Sequence, residues 1–329
     1  MRVEEYDAND ADAVEASRLV LNACNPVDTP WAPPPTAFRR EMDVRHGWDH
    51  TPHRYLLGLV DDEPVACADV ELPQWDNRDL AWIYLNVRPE RRRRGYGSEL
   101  MRHVLDLVAS MGRPKAGTNG FEGHGTAEFA AAHGFGPASV EVCRVLSPKA
   151  VPPGFYDELG ASVLPAAADY ELVRWTGRTP PGLLPAVTEM TAAINDAPYD
   201  DLDLEHDVYT PGRIVAYESA VIDGGNRLYR LLAQHRRTGE LVGHTVVAVD
   251  IEDPRIAHQH DTSVVRAHRG HRLGLLLKAE MMRWLAEAEP EIDYLDTWNA
   301  ESNEHMVAVN ERLGFRAVGR ELAFQRRLD

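Results

Sequence analysis

Two short stretches of this 329-residue chain carry the residue types that hold phosphate. The first is Arg92-Arg93-Arg94-Gly95-Tyr96-Gly97-Ser98 and the second is Arg269-Gly270-His271-Arg272-Leu273-Gly274. Glycine lets a backbone come close to a ligand, and the free N–H groups at a helix start attract phosphate oxygens. In the first stretch an apolar run ending at Val87 reads as a strand, and Pro89 ends it because proline has no ladder donor. Leu100, Met101, Val104, Leu105 and Val108 then recur at helical spacing. Four arginines in a row would by themselves read as a solvated turn. Set with glycines between a strand and a helix, they read as a phosphate-binding loop.

The elements that must position these loops need more than one core. A chain of this length suits two domains, at about 150 residues each. The composition, 44% hydrophobic and 26% charged, is that of a soluble globular protein. No apolar run approaches the roughly 20 residues that cross a bilayer. The acidic start, MRVEEYDAND, lacks a signal-peptide pattern, and Cys24, Cys67 and Cys143 share no motif spacing. A reduced, cytoplasmic protein without a metal site is expected. The net charge of −17 argues against nucleic acid as partner and suits a cationic small substrate. The sequence has no P-loop, nucleophile elbow or HExxH motif.

Taken in order, the chain repeats itself. Residues 1–7 read as a strand, 11–22 as a helix, 25–36 as a proline-rich loop and 37–46 as a helix. A hairpin over 54–72, the strand to Val87, the helix after Gly95, a strand near 114–119, a helix over 126–133 and a strand over 138–146 follow. Residues 147–164, with Pro148, Pro152, Pro153 and Gly154 and room for a short helix between, read as a linker. The same order then returns, through a strand at 170–176, helices at 183–194 and 211–222, and a hairpin over 227–249. A strand at 261–265, a helix at 274–288, a strand at 294–298, a helix at 303–313 and a strand at 322–327 complete it. Gly97 and Gly274 lie 177 positions apart, and Gly134-Phe135 and Gly314-Phe315 lie 180 apart. The chain reads as a tandem duplication, with domains over 1–150 and 165–329 joined by 151–164.

Valine, five residues to an arginine, then R-x-x-G-x-G opening a helix resembles the acyl-CoA motif of the GNAT N-acetyltransferase superfamily. Val87, Arg92, Gly95 and Gly97 match in the first half; Val264, Arg269 and Gly274 match in the second, which also has Asn303 followed by Gly314-Phe315. The resemblance covers both halves, an arrangement known among tandem members of the family. It implies an α+β fold of two GNAT-like domains, each a mixed, mostly antiparallel sheet flanked by helices. It also implies a splay between the fourth and fifth strands, where the pantetheine arm of acetyl-CoA or another acyl-CoA lies. Backbone groups of Leu85 and Val87, or of Thr262 and Val264, would meet the pantetheine amides, and Asn299 and Asn303 would lie along the donor. The implied reaction is attack of an amine on the thioester, which needs a base, an oxyanion donor and an acid for the thiolate.

The departures from the pattern bear on mechanism. Seven residues past Asn303, where many members have the tyrosine acid, stands Asn310; the first half has Ala130 there. Arg272 stands where the second loop's motif expects glycine. For the base, strand alternation puts His258, His260 and Thr262 on one face and Gln259 and Asp261 on the other. The matching stretch of the first half offers little, its best carboxylate being Glu71 on the preceding strand. Asp200, Asp201, Asp203 and Glu205, in an acidic loop between helices, read as an acceptor wall for a cationic amine. Trp298, at the end of the strand beside the splay, joins them. The second half is thus expected to be catalytic, with a small-molecule amine as acceptor, and the first to bind CoA without turnover or to serve as scaffold. Two other readings stay open: a CoA-responsive binding protein, and an acyltransferase fed by an acyl carrier protein.

Overall fold

A computed structural model describes residues 1–328. In chain order it begins with β1 (Arg2–Tyr6), α1 (Ala11–Asp28), α2 (Ala37–His46), β2 (His53–Val60), β3 (Glu63–Glu71) and β4 (Leu80–Val87). Then come α3 (Tyr96–Ser110), β5 (Lys115–Phe121), α4 (Thr126–Ala132), β6 (Gly136–Leu146), α5 (Phe155–Val163) and β7 (Tyr170–Thr176). The second half continues with α6 (Leu184–Thr191), α7 (Pro211–Asp223), β8 (Asn226–His235), β9 (Leu241–Asp250) and β10 (Ile256–Val264). It closes with α8 (Leu273–Ala288), β11 (Tyr294–Ala300), α9 (Glu304–Leu313) and β12 (Arg316–Arg327). Among the described residues no helix is long and apolar enough to cross a membrane.

Local chemistry sets the ends of these elements. Asp10, Thr36, Thr210 and Asn303 each accept a backbone N–H of the helix they precede, which satisfies an otherwise orphaned donor. Gly314, at φ +97°, stops α9 in the left-handed conformation that a side chain disfavours. Two expectations shift. Helix α1 runs on to Asp28 through Pro26, so the proline-rich loop begins later than its composition suggests. The short helix expected within the linker forms as α5, but the stretch is packed and not loose, since Val163 is buried in one core with Leu146, Ala167 and α8 side chains. Its prolines and glycine punctuate a packed segment.

The chain divides into two compact units, neither of them one continuous stretch. The first unit takes Met1–Glu141, Tyr199–His206 and the chain from Gly319; the second takes Val142–Pro198 and Asp207–Val318. In the first unit the strand order is β1-β2-β3-β4-β5-β12, and β12 pairs antiparallel with β5 from Glu321↔Phe121 to Arg327↔Lys115. In the second the order is β6-β11-β10-β9-β8-β7. Each unit is therefore completed by a strand from the other half of the sequence. The strands at 138–146 and 322–327 form, but they close the opposite units from those their position suggests.

Helix α3 covers one face of the first sheet, where Leu100, Met101, Val104 and Val108 pack on Leu56, Ala68, Val70 and Ile83. Helix α8 does the same in the second unit, with Leu273, Leu277 and Met281 against Leu231, Val247 and Leu295. Both sheets open at the same place. Strand β4 runs parallel to β5 only over Leu80–Ile83, and β10 to β11 only over Ile256–His258. Beyond those points the strands diverge, as the resemblance implies.

Candidate functional site

The splay of the first unit is the floor of a cleft of about 800 Å³. Tyr84–Val87 of β4 and Thr118–Phe121 of β5 form its two sides, and the loop from Arg91 to Gly97 closes one end. Phe129 of α4, Cys24 and Asp28 of α1, and Glu321 and Phe324 of β12 complete the wall. The first intrahelical bond of α3 runs from the Glu99 N–H to the Gly95 carbonyl. The N–H groups of Tyr96, Gly97 and Ser98 precede it, so they are the donors that a helix start offers to an anion. Ser98 also lines the cleft, its hydroxyl 3.1 Å from Nε2 of His133.

The arginines of this loop divide their labour. Arg92 donates from Nε to the Val87 carbonyl at 2.9 Å and from its fork to both oxygens of Asp28. It buttresses the turn, and the Asp28 hydrogen bond raises its pKa. Arg91 is held by Glu63, while Arg93 and Arg94 are exposed. The Cys24 thiol donates to the Val87 carbonyl at 3.3 Å, and burial pushes it up to about 11, so it is an inert wall group.

The second unit repeats the buttress. Arg269 donates to the Val264 carbonyl at 3.0 Å and to Asp196 at 2.6 Å. The Arg272 departure leaves the turn's shape intact, because both loops place two left-handed residues two positions apart. They are Arg93 (φ +60°) and Gly95 (φ +88°) in one, Gly270 (φ +86°) and Arg272 (φ +56°) in the other. Glycine and arginine have traded places along the same backbone path. His271 is tied from Nδ1 to the Ala166 carbonyl at 3.1 Å, and Leu273 is buried in the core.

Strand β10 does not alternate as a regular strand would. Its pairing with β9 shifts between Gln259↔Val247 and Thr262↔Thr245, which inserts one extra residue. Thr262 is therefore turned to the side of Gln259, and the two share Thr245: Thr262 Oγ1 lies 2.7 Å from its hydroxyl and Gln259 Nε2 lies 3.1 Å away. His258 lies 2.7 Å from Asp296, its neighbour across the last paired position of β10 and β11. Tyr217 meets His260 Nδ1 at 2.6 Å, and burial pushes that imidazole down to about 3. Burial lifts Asp261 to about 6, against the lowering pull of Arg230. Asn310, fully buried, donates to Asn299 at 2.6 Å, and Asn303 is spent on the α9 cap. Trp298 is half-buried on β11.

The acidic segment belongs to the first unit and is tied into it. Asp203 pairs with Lys115 at 3.2 Å and Arg327 at 2.6 Å, and Asp200 accepts from Ser139 at 2.6 Å. Asp201 donates its N–H to the Ala138 carbonyl, and Glu205 accepts from the Asn77 N–H at 3.2 Å. None of the four lines the cleft of that unit. The carboxylates of Asp200, Asp203 and Glu205 help hold the segment in place, while Asp201 does so through its backbone and keeps an exposed side chain.

Two cleft residues escaped the sequence reading. The Tyr84 hydroxyl donates to Glu71 at 3.3 Å, which brings Glu71 beside the splay. Glu321 stands across from it, pushed up to about 7 by burial, with Glu141 adding to the rise and Asn119 opposing it. Tyr84 carried the signal of strand position; Glu321 had none, since its partner strand lies two hundred residues earlier.

The comparisons agree with this geometry. The sequence model of the acetyltransferase (GNAT) family matches residues 25–135 and 192–315. No curated protein matches the chain. Among solved structures, a tandem GNAT protein from the clavulanic acid biosynthesis pathway is similar over 99% of this chain and 98% of its own, at 26% identity and a TM-score of 0.79. A GCN5-related N-acetyltransferase from Sphaerobacter thermophilus shares the fold at 17% identity and a TM-score of 0.66, covering 99% and 95% of the two chains. A putative acetyltransferase from Pyrococcus horikoshii does so at 14% and 0.59, covering 100% and 89%. Matched in both halves, with the loop and the splay built twice, the chain belongs to the acetyltransferase (GNAT) family and is a tandem acyltransferase.

Proposed function

We propose that this chain moves the acyl group of an acyl-CoA, acetyl-CoA first among them, to the amine of a small molecule by direct attack. The observation that carries the proposal is the first unit's cleft, in which strand splay, basic loop and helix start converge on one continuous space. The loop N–H groups of Tyr96, Gly97 and Ser98 would take the pyrophosphate, and the free flank of β4 from Leu85 to Val87 would run beside the pantetheine arm. The thioester supplies an activated carbonyl; the protein supplies position, a dry wall and a proton acceptor. This reading puts the donor, and the reaction with it, in the first unit.

Transfer in the second unit is the other reading. It is favoured by Asp261, whose carboxyl titrates near neutrality beside the β10–β11 splay, and by the repeated arginine buttress. Acetyl-CoA would be offered with a panel of amines, including polyamines and amino sugars, and thiol release followed. Saturable release whose KM for acetyl-CoA rises about tenfold in Gly97→Val but not in Gly274→Val supports the first-unit reading. The opposite pattern assigns transfer to the second unit. Tight CoA binding without release on any amine, or release only from an acyl carrier protein, overturns the proposal.

A further inference from the structure

We propose that Glu321, carried by the chain's last strand, is the general base of the first unit's cleft. The inference rests on the reading that acyl transfer takes place in that cleft, and it names a residue from the opposite end of the sequence.

Three carboxylates line the cleft, and two are otherwise engaged or poorly placed. Asp28 is bound by both arms of the Arg92 fork. Glu128 lies exposed in the first turn of α4. Glu321 remains, and it sits where β12 pairs with the far end of β5, directly opposite Phe121, on the diverging part of the splay. The groups facing it are Asn119 on β5, Tyr84 on β4 and Glu141 on β6. Glu71, on β3, reaches the same place through the Tyr84 hydroxyl. Burial outweighs the opposing Asn119 contact and holds the carboxyl at about 7. A base of that strength is half ionised at neutral pH and can take a proton from an ammonium that has lost part of its hydration.

The step balances as follows. The acceptor arrives as R–NH3+ and gives one proton to the Glu321 carboxylate. The amine lone pair then forms a C–N bond to the thioester carbonyl carbon, and the C–S bond breaks. The second nitrogen proton passes to the departing thiolate, directly or through water. Glu321 returns its proton to solvent, so each turnover yields an amide, a free thiol and one proton. Tyr84, its hydroxyl held by Glu71, orients the nitrogen by accepting one N–H.

The test is the pH profile of kcat/KM in the full-length protein. In the native chain the rate should rise with pH through about 7, as Glu321 loses its proton. Glu321→Gln should lower kcat on the order of 100-fold, abolish that limb and leave acetyl-CoA affinity unchanged. Asn119→Ala, which removes the contact that lowers the Glu321 pKa, should move the limb to higher pH with the residue still present. A limb that persists in Glu321→Gln, or a limb unmoved in Asn119→Ala, overturns the assignment. A native protein that acylates no amine at any pH defeats the underlying reading and is seen before any variant is made.

Discussion

The loops at Arg92–Gly97 and Arg269–Gly274 follow one backbone path with different residues. Both anchor an arginine to the last carbonyl of the preceding strand and to a carboxylate, Asp28 in one and Asp196 in the other. Both have two residues at positive φ, with glycine second in the first loop and first in the second. Their surroundings differ more than their paths do. A side chain at Gly97 would come within 3.3 Å of Phe129 and of Val87, whereas one at Gly274 would meet nothing within 4 Å. The duplication offset of 180 puts Val309 where α4 has Phe129, which accounts for the looser packing. What duplicates faithfully here is the backbone geometry that presents N–H groups. What diverges is the packing behind it.

The same divergence reaches the cores. The offset of 177 sets Lys278 against Met101 and His244 against Cys67, and all four are buried. The strand registers agree, since Ser263 pairs with His244 as Asn86 pairs with Cys67. Burial pushes Lys278 down to about 7, with the Phe315 ring 5.2 Å from its ammonium. His244 is pushed down to about 3, and neither of its ring nitrogens has a partner. At these two positions the first unit has Met101 and Cys67 where the second holds an ionisable lysine and histidine.

Restoring the first unit's residue should break this contrast most strongly. A lysine whose folded pKa lies below its ordinary 10.5 binds fewer protons in the native state. Its penalty is therefore full below about pH 7 and fades as pH rises toward 10.5. Lys278→Met should stabilise the protein by several kcal/mol at pH 6, an order of magnitude set by the size of the shift, and by little at pH 10. Denaturant unfolding at the two pH values checks it, and an equal effect at both would mean that the lysine is not neutralised by burial. Next comes the packing behind the loops. Gly97→Val should weaken CoA binding about tenfold, roughly 1.4 kcal/mol, by forcing Phe129 and Val87 apart, while Gly274→Val should change affinity little. Calorimetric titration of both variants separates the two loops. The smallest effect should be shared. Arg93→Gly and Arg272→Gly each relieve a side chain at positive φ and should stabilise by about 0.5–1 kcal/mol alike, read as a rise in Tm. Unequal shifts would show that the two paths are not energetically equivalent.

Much of the fold was legible because its signals are local. The period of Leu100, Met101, Val104 and Val108 announces α3, and the spacing of Val87, Arg92, Gly95 and Gly97 announces the loop. The site was legible only where it lies on those elements. Alternation misplaced Thr262, because a bulge is an event of pairing between β9 and β10 that one strand's sequence does not display. Asp200, Asp203 and Glu205 read as part of a recognition surface, and no local spacing displays the bonds to Ser139, Lys115, Arg327 and Asn77 that they make in the fold.

The sequence by itself determined the two loops, written in spacings of a few residues, and the duplication, written in their recurrence; through the resemblance those motifs carry came the family and the expected strand splay. The tertiary structure alone decided that β12 completes the first unit, that the acidic segment docks there, and that Glu321 and Tyr84 line one cleft. The physical reason is distance along the chain. Period and turn chemistry are fixed by neighbours, whereas a strand's partner is chosen by which edge and which core its whole length can satisfy.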